Sequence, residues 1–413
     1  MTQHKFTVII PTRERANTLL YSLQTCVAQP YANLDILVSD NCSNDNTKEI
    51  VERFTDKRIK YINTGQRLSM AKNYEFALSH VTEGWVCIIG DDDGLLPDSI
   101  TVANNIVNAN TTADVLFWYH LVPRYFWSGE FGGTANDNKF LCREMHHNAP
   151  FVPKDRLEKM MSFESSYEAL PIIYHGFVAV ELINTIKKAA ANGCFFQARI
   201  PDVYSTIALS IFSKNVVQCS QPISIQGISN NSIGESRIFK KRSNQTEQQF
   251  LSEADIPFNT SLALLPTDKP MDNIHILSTD AFLYFFENVV SEYSTEKNKY
   301  REYVLLHLSK KIKQQNDPIY VHLANKILIQ NNLQNTNIEQ NDIYLKLKNA
   351  KKYFYYIYSH KIYCTKYGLK TIADIFNKYN DITHFSGLRK IDYQLKKAIK
   401  FVKRYAKFIL KID

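Results

Sequence analysis

Three consecutive carboxylates, Asp91, Asp92 and Asp93, close the apolar run Val86 to Ile89 in the stretch CIIGDDDGLLPDSI (87–100). Like charges at adjacent positions repel, and the cost rises where water is excluded. A turn or a helix start needs one acid, not three. Three hard oxygen donors at the mouth of a buried strand point instead to a divalent cation, or to a nucleotide that such a cation accompanies. Asp40, in VSDNCSNDNT (38–47), follows another apolar run directly. It either caps a turn or accepts a hydrogen bond from a base or ribose. Asp202 stands behind Pro201 in RIPDVYSTIALSIF (199–212), at the start of an apolar helical run. The residues alone leave it between an N-cap and a proton acceptor.

The elements that must position these acids alternate along the first 120 residues. FTVIIPT (6–12), LDILVSDN (34–41), IKYINT (59–64), GWVCIIG (84–90) and DVLFWYHL (114–121) read as strands. Between the early ones lie helical patterns: ANTLLYSLQTCVAQ (16–29), NTKEIVERF behind Asp45 as N-cap, and SMAKNYEFALSHV (69–81). This alternation predicts a mostly parallel sheet with helices on both faces, an α/β fold that binds ligands beyond the C-terminal ends of its strands. Residues 122–228 read as mixed, with two Pro-marked segments. The polar stretch 229–260 reads as a loop or boundary, and the chain turns helical from about 273.

Composition narrows the function classes. The chain has 413 residues, 45% hydrophobic and 22% charged, which suits a soluble globular protein of more than one domain. No stretch resembles a signal peptide or a membrane span, and seven scattered cysteines without a CxxC pattern suggest a reducing cytoplasm. The net charge is +8, but residues 391–413 carry seven Lys or Arg against two Asp. The remainder is nearly neutral, which argues against nucleic acid as a partner.

Taken in order, four segments resemble family 2 glycosyltransferases of the GT-A fold. VIIPTRER (8–15) is similar to the family's VIIPTYNR-like strand, and VSDNCSNDNT to its VSDNSSxDxT-like segment. NTGQRLSMAKN (63–73) is similar to NxGxxxARN, and GDDDGLLP (90–97) to the metal motif DxDDxxxP. Gly90 stands where the longer motif has an Asp, and Lys72 where the family has Arg, a point charge in place of a planar fork. The resemblance is strong over residues 6–98, weaker to about 235 and absent beyond. It implies a sugar-nucleotide pocket lined by Pro11, Thr12 and Arg13, with Asp40 on the uracil and Arg67 near the uracil or diphosphate. Lys72, Asn73 and Asp91 belong to the same pocket, Asp92 contacts the ribose or sugar, and Asp93 holds Mn²⁺ or Mg²⁺. It further implies an Asp or Glu base at a downstream helix start, a role for Asp202, with Glu181 second.

Weaker candidates are His146 and His147 near Glu144, read as surface residues, and His175, read as an acceptor-pocket or structural residue. GISNNSIGES (227–236) reads as a polar active-site loop. Trp118, Tyr119, Tyr125 and Trp127 read equally as sugar-stacking faces or core. In the tail, Ile391, Leu395, Ala398, Val402, Tyr405, Ile409 and Ile412 share one helix face, with most of the basic residues elsewhere. Such a helix suits the anionic inner face of a membrane, its own domain, or a second copy in a homodimer. The resulting expectation is a GT-A domain at 1–240, with a nucleotide-sugar half at 1–120 and an acceptor half at 121–240. An all-α domain at 241–413 follows, ending in the basic helix 391–413. The expected reaction is inverting, metal-dependent transfer from a UDP-sugar to a lipid-linked saccharide of a bacterial surface glycan. The location would be cytoplasmic, peripheral to the inner membrane. A non-catalytic sugar-nucleotide-binding scaffold and a nucleotidyltransferase are the rivals, and no Gly-rich triphosphate loop supports the latter.

Overall fold

A computed structural model describes residues 2–127, 139–143, 153–229, 253, 256–262, 273–289, 297–315, 317–333, 359–363 and 370–383. Strands β1 (Phe6–Thr12), β2 (Leu34–Asp40), β3 (Ile59–Asn63), β4 (Trp85–Ile88), β6 (Val115–Phe117), β9 (Gly176–Ala179) and β10 (Val216–Gln218) form one sheet. Its order is β10-β6-β9-β4-β1-β2-β3. Parallel pairing joins β1 to β2 and β4, β2 to β3, and β6 to β10. β9 alone runs antiparallel, between β4 and β6. The expected fifth strand, 114–121, stops at Phe117, and residues Tyr119–Leu121 form a one-turn 3₁₀ helix instead.

The sheet is covered on both faces, and the period-2 geometry of a strand sorts its side chains between them. On β1, Val8 and Ile10 face a core shared with helices α1 (Ala16–Val27), α2 (Thr47–Glu52) and α4 (Ser99–Ala109). Ile9 faces the opposite core, with α3 (Met70–Leu78), α5 (Pro153–Met161), α6 (Val180–Ala189) and α7 (Pro201–Phe212). Burial on both sides explains why β1 and β2 read as near-continuous Val/Ile/Leu runs. Helices α8 (Ile274–Asn288), α9 (Lys297–Lys313) and α10 (Pro318–Gln330) add Phe282, Phe285, Leu305, Leu308, Ala324 and Ile327 to that same second core. The described C-terminal helices therefore share a core with the sheet. The expected boundary near 240 and the basic helix 391–413 lie outside the described residues.

A second, mixed sheet sits over the C-terminal edge of the first. Its order is β12-β8-β7-β11-β5, from β5 (Gly94–Leu95), β7 (Arg124–Phe126), β8 (Lys139–Arg143), β11 (Ser224–Ile228) and β12 (Ser359–Tyr363). Helix α11 (Ile372–Thr383) packs below β5, where a Cβ on Gly94 would lie 2.6 Å from Ile372 Cγ2. Among the described residues, no helix is long and apolar enough to cross a membrane.

Candidate active site

Because β1, β2, β4 and β6 point the same way, their C-terminal ends bring Thr12, Asp40, Asp91–Asp93 and Tyr119 to one edge. The antiparallel β9 begins at that edge and delivers Tyr174 and His175 to it. Asp91, Asp92 and Asp93 are 2%, 3% and 0% exposed, so their mutual repulsion is not relieved by solvent. What relieves it is Arg15. Its Nη1 stands 2.8 Å from Asp91 Oδ1 and its Nη2 2.9 Å from Asp92 Oδ2. Burial works against the guanidinium charge, but the three acids hold it firmly protonated. Thr12 Oγ1 donates to Asp91 Oδ2 at 2.8 Å, and Ser229 Oγ to Asp92 Oδ2 at 2.6 Å.

The three acids hold three different positions. Asp93 is enclosed: Gly90 N–H (2.5 Å) and Tyr174 O–H (2.6 Å) donate to Oδ2, and Gly227 N–H (2.8 Å) donates to Oδ1. His175 Nε2 lies 3.1 Å from the same Oδ2. Burial raises this carboxyl's pKa, but His175 and the Tyr174 and Gly90 bonds outweigh it and keep the group below the usual range. Asp91 is the reverse case. Burial pushes it up to about 7, with Asp92 and Asp93 adding to the rise against the pull of Arg15 and Thr12. Its buried Oδ1 has no hydrogen bond beside the Arg15 ion pair. The sequence reading put the cation on Asp93, a carboxylate that here accepts from three protein donors. Asp91 Oδ1, by contrast, is buried with its Arg15 ion pair and no hydrogen bond among the described residues. Among the described residues no trio of His, Cys, Asp and Glu is arranged to hold a metal alone. The donor set fits a cation that takes its remaining ligands from a bound diphosphate, with Asp91 and Asp92 as the protein's share.

β11 explains how the acids are held. It runs against β5 in antiparallel register, Ser224 opposite Leu95 and Ile225 opposite Gly94. Gly227 lies so close to the acidic turn that a Cβ would sit 1.7 Å from the Asp92 carbonyl oxygen. Gly90 is constrained too, since a Cβ there would come within 2.9 Å of Asp93 Oδ2. An Asp at 90, as in the longer family motif, therefore has no room without a shift. Trp127 Nε1 donates to the Asp92 carbonyl, and Trp118 Nε1 to Ser224 Oγ, which lies 2.7 Å from His175 Nδ1. Trp118, Tyr125 and Trp127 are fully buried, so this part of the aromatic group is core, with two indoles bracing the site from behind. His175, Glu14 and Cys42 hold left-handed backbone at φ of +58°, +55° and +56°, and all three flank the site. Each such residue costs on the order of 1–2 kcal/mol, stored where loops must aim side chains.

The other sequence-selected residues fall around this centre. Asp40 Oδ2 accepts from Tyr61 O–H (2.6 Å) and Asn63 Nδ2 (3.0 Å), and Oδ1 from Ser43 N–H (3.0 Å). Arg13 pairs with Glu253 and Arg67 with Glu14, both at the rim. Asn73 is turned inward, with its Oδ1 accepting from Ser39 Oγ, while Lys72 is exposed on α3. Pro11 lies within β1, half-buried. Asp45 acts one residue earlier than expected, and it serves two helices: Oδ1 accepts from Thr47 N–H and Oδ2 from Ala16 N–H. Asp202 lies in the first turn of α7, within electrostatic reach of Tyr74, Tyr119 and Tyr167. Burial and the nearby acids, Asp93, Asp91 and Asp92 included, raise the Tyr74 phenol. Glu181 is exposed at the start of α6. His146, His147, Glu144 and residues 230–236 lie outside the described residues.

Arg15, Tyr174 and Ser229 were not singled out by the sequence reading. Arg15 had a signal, since it ends VIIPTRER two positions beyond Arg13 and three excess acids require a cation somewhere. Tyr174 had none, while Ser229 falls in the segment 227–236 read from sequence as a polar active-site loop.

An open, mostly parallel sheet carrying a buried acidic turn at its C-terminal edge is a GT-A architecture. Residues 7–142 match the model of the family described as "Glycosyl transferase family 2". One relative is the Escherichia coli UDP-Glc:alpha-D-GlcNAc-diphosphoundecaprenol beta-1,3-glucosyltransferase WfgD. It is 24% identical over 131 residues, 32% of this chain and 52% of that protein. The GalNAc(5)-diNAcBac-PP-undecaprenol beta-1,3-glucosyltransferase of Campylobacter jejuni is 32% identical over 100 residues, 24% of this chain and 32% of that one. The chain thus spans about half, or less, of these curated relatives' lengths. Among solved structures, the UDP-GlcNAc complex of S. aureus TarS (1–349) is similar at a TM-score of 0.48. The identity is 14%, over 78% of this chain and 80% of that one.

Proposed function

We propose that the chain is an inverting glycosyltransferase that moves a sugar from a UDP-sugar to an undecaprenol-linked saccharide. The observation that carries this reading is the buried acid turn. Asp91 and Asp92 share one guanidinium, one Asp91 oxygen lacks a hydrogen bond, and the turn lies in the stretch that matches family 2. The acceptor class is taken from the two relatives, whose names both specify undecaprenol-linked saccharides.

In this reading Asp91 and Asp92 would hold Mn²⁺ or Mg²⁺, whose charge offsets that gathering on the departing diphosphate. Asp93 acts one step back, holding the turn through Tyr174, His175 and Gly227. Asp40 receives the uracil edge, and Arg13 and Arg67 exchange their glutamate partners for the nucleotide. Asp202 accepts the proton of the acceptor hydroxyl as its oxygen bonds to the anomeric carbon and the bond to the diphosphate breaks. The reaction would run in the cytoplasm, with residues 391–413 as the membrane contact.

The test is nucleoside diphosphate release from a panel of UDP-, GDP- and dTDP-sugars with Mn²⁺, with and without EDTA, alongside UDP calorimetry. The expected result is EDTA-sensitive release from one UDP-sugar and Mn²⁺-dependent UDP binding, both lost in Asp92→Ala. Asp202→Asn should keep UDP binding and lose transfer; full function in Asp202→Asn would favour the scaffold reading. UDP binding absent in the native chain would sink the proposal.

A further inference from the structure

Three arginines lie at the acidic edge, and a carboxylate holds each of them. Arg13 pairs with Glu253 and Arg67 with Glu14, both at the rim. Arg15 differs, because its partners are the two acids that the donor set assigns to a cation. Its Nη2 donates to Asp92 Oδ2 at 2.9 Å and to Ser229 Oγ at 2.6 Å, and that serine donates onward to the same Asp92 oxygen. Its Nη1 faces Asp91 Oδ1 at 2.8 Å as an ion pair, and that oxygen has no hydrogen bond among the described residues.

A guanidinium and a divalent cation make the same demand on these carboxylates. A cation bonded to oxygen at about 2.1 Å would lie inside the 2.8 and 2.9 Å that separate Arg15 from Asp91 Oδ1 and Asp92 Oδ2. Two positive groups on one pair of oxygens repel strongly at that range. Arg15 therefore competes with the cation, and one of them must yield. The side chain is free to do so while its backbone is not. The Arg15 carbonyl accepts from Leu19 N–H at 3.1 Å and Thr18 Oγ1 at 3.2 Å, which fixes the start of α1. The side chain is 20% exposed, so the guanidinium can turn about its own bonds toward the open edge. A diphosphate that completes the cation's coordination must lie beside the oxygens that Arg15 gives up, and the planar fork matches phosphate as well as carboxylate.

We infer that Arg15 exchanges partners during donor binding: it balances Asp91 and Asp92, releases their oxygens to the divalent cation, and turns to the diphosphate of the sugar nucleotide. This rests on the transferase reading above. Only ion pairs and hydrogen bonds change, and Ser229 stays on Asp92 throughout. The exchange keeps a positive charge on the acid turn at every stage, and it delivers a guanidinium to the group on which the leaving charge gathers.

Calorimetry on the full chain tests it with two probes, Mn²⁺ by itself and UDP at saturating Mn²⁺. Arg15→Gln should bind Mn²⁺ at least fivefold more tightly than the native chain, because the competitor is gone. The same variant should bind UDP at least fivefold more weakly, because the diphosphate has lost a partner. A merely structural ion pair would weaken both together, since its loss disorders the turn. Arg15→Lys keeps a charge without the fork. It should bind Mn²⁺ at least twofold more tightly than the native chain and UDP within threefold of it, and it carries the Mn²⁺ comparison where Arg15→Gln does not fold. Unchanged or weaker Mn²⁺ binding in the folded variants overturns the inference, and so does native UDP affinity in Arg15→Gln. A native chain that binds Mn²⁺ but no UDP would instead refute the transferase reading, and the inference with it.

Discussion

At the scale of single residues, the site is an electrostatic balance in a space with little water. Asp91, Asp92 and Asp93 are tolerated because Arg15 bridges the first two and protein donors enclose the third. Breaking a buried ion pair by removing one partner strands the other charge, which costs more than the pair contributes when intact. Arg15→Ala should therefore destabilise the fold by about 3 kcal/mol, read as a lowered urea midpoint. The loss should shrink at acid pH, where Asp91 takes up a proton. A variant as stable as the native chain at neutral pH would mean that another cation neutralises the turn.

Elements matter through how tightly they cross. β11 passes over the acidic turn with no room for a side chain at Gly227, whereas Gly65 has open space and only a φ of +69° to satisfy. The two glycines should therefore respond differently to the same change. Gly227→Ala must displace the Asp92 backbone and should cost about 3 kcal/mol. Gly65→Ala should cost about 1 kcal/mol, from backbone strain alone. Parallel urea titrations check this, and equal losses would contradict the close packing of β11 on residues 92–93. The same crossing explains why the 3₁₀ turn at Tyr119–Leu121 replaces the end of an expected strand. The chain must leave the sheet there to enter β7, which pairs with β11.

Across the whole molecule, the C-terminal helices are joined to the sheet through one continuous core that also buries a lone acid. Asp280 on α8 is 1% exposed and accepts from Asn259 N–H, and burial pushes its pKa up to about 7 against the ordinary 3.8. Between those values the unfolded chain has released a proton that the folded chain retains. Stability must then fall as pH rises from about 4 to 7, by up to about 1 kcal/mol per pH unit. Asp280→Asn keeps the accepting oxygen and removes the titration. Its urea midpoint should thus decline less over that range than the native one does. Identical pH slopes in the two proteins would show that Asp280 does not titrate in this window.

Much of this was legible in the residues themselves. The alternating strands of the first half, the acid turn, Asp40 and the helix-start position of Asp202 are local features, written in hydrophobic period and in neighbouring residue types. β9 was hidden because GFVA is four residues running directly into α6, too short for a period to be distinguished from the helix that follows. Tertiary structure alone decided which acid is left incompletely satisfied. The donors that close Asp93 and flank Asp92 lie far along the chain: Tyr174 by 81 positions, Gly227 by 134 and Ser229 by 137. Such contacts depend on where β9 and β11 dock, which is set by packing of both cores rather than by any local pattern. The sequence thus determined that charge would collect at this strand end. Only the fold determined that Arg15 would balance it and that Asp93 would be enclosed.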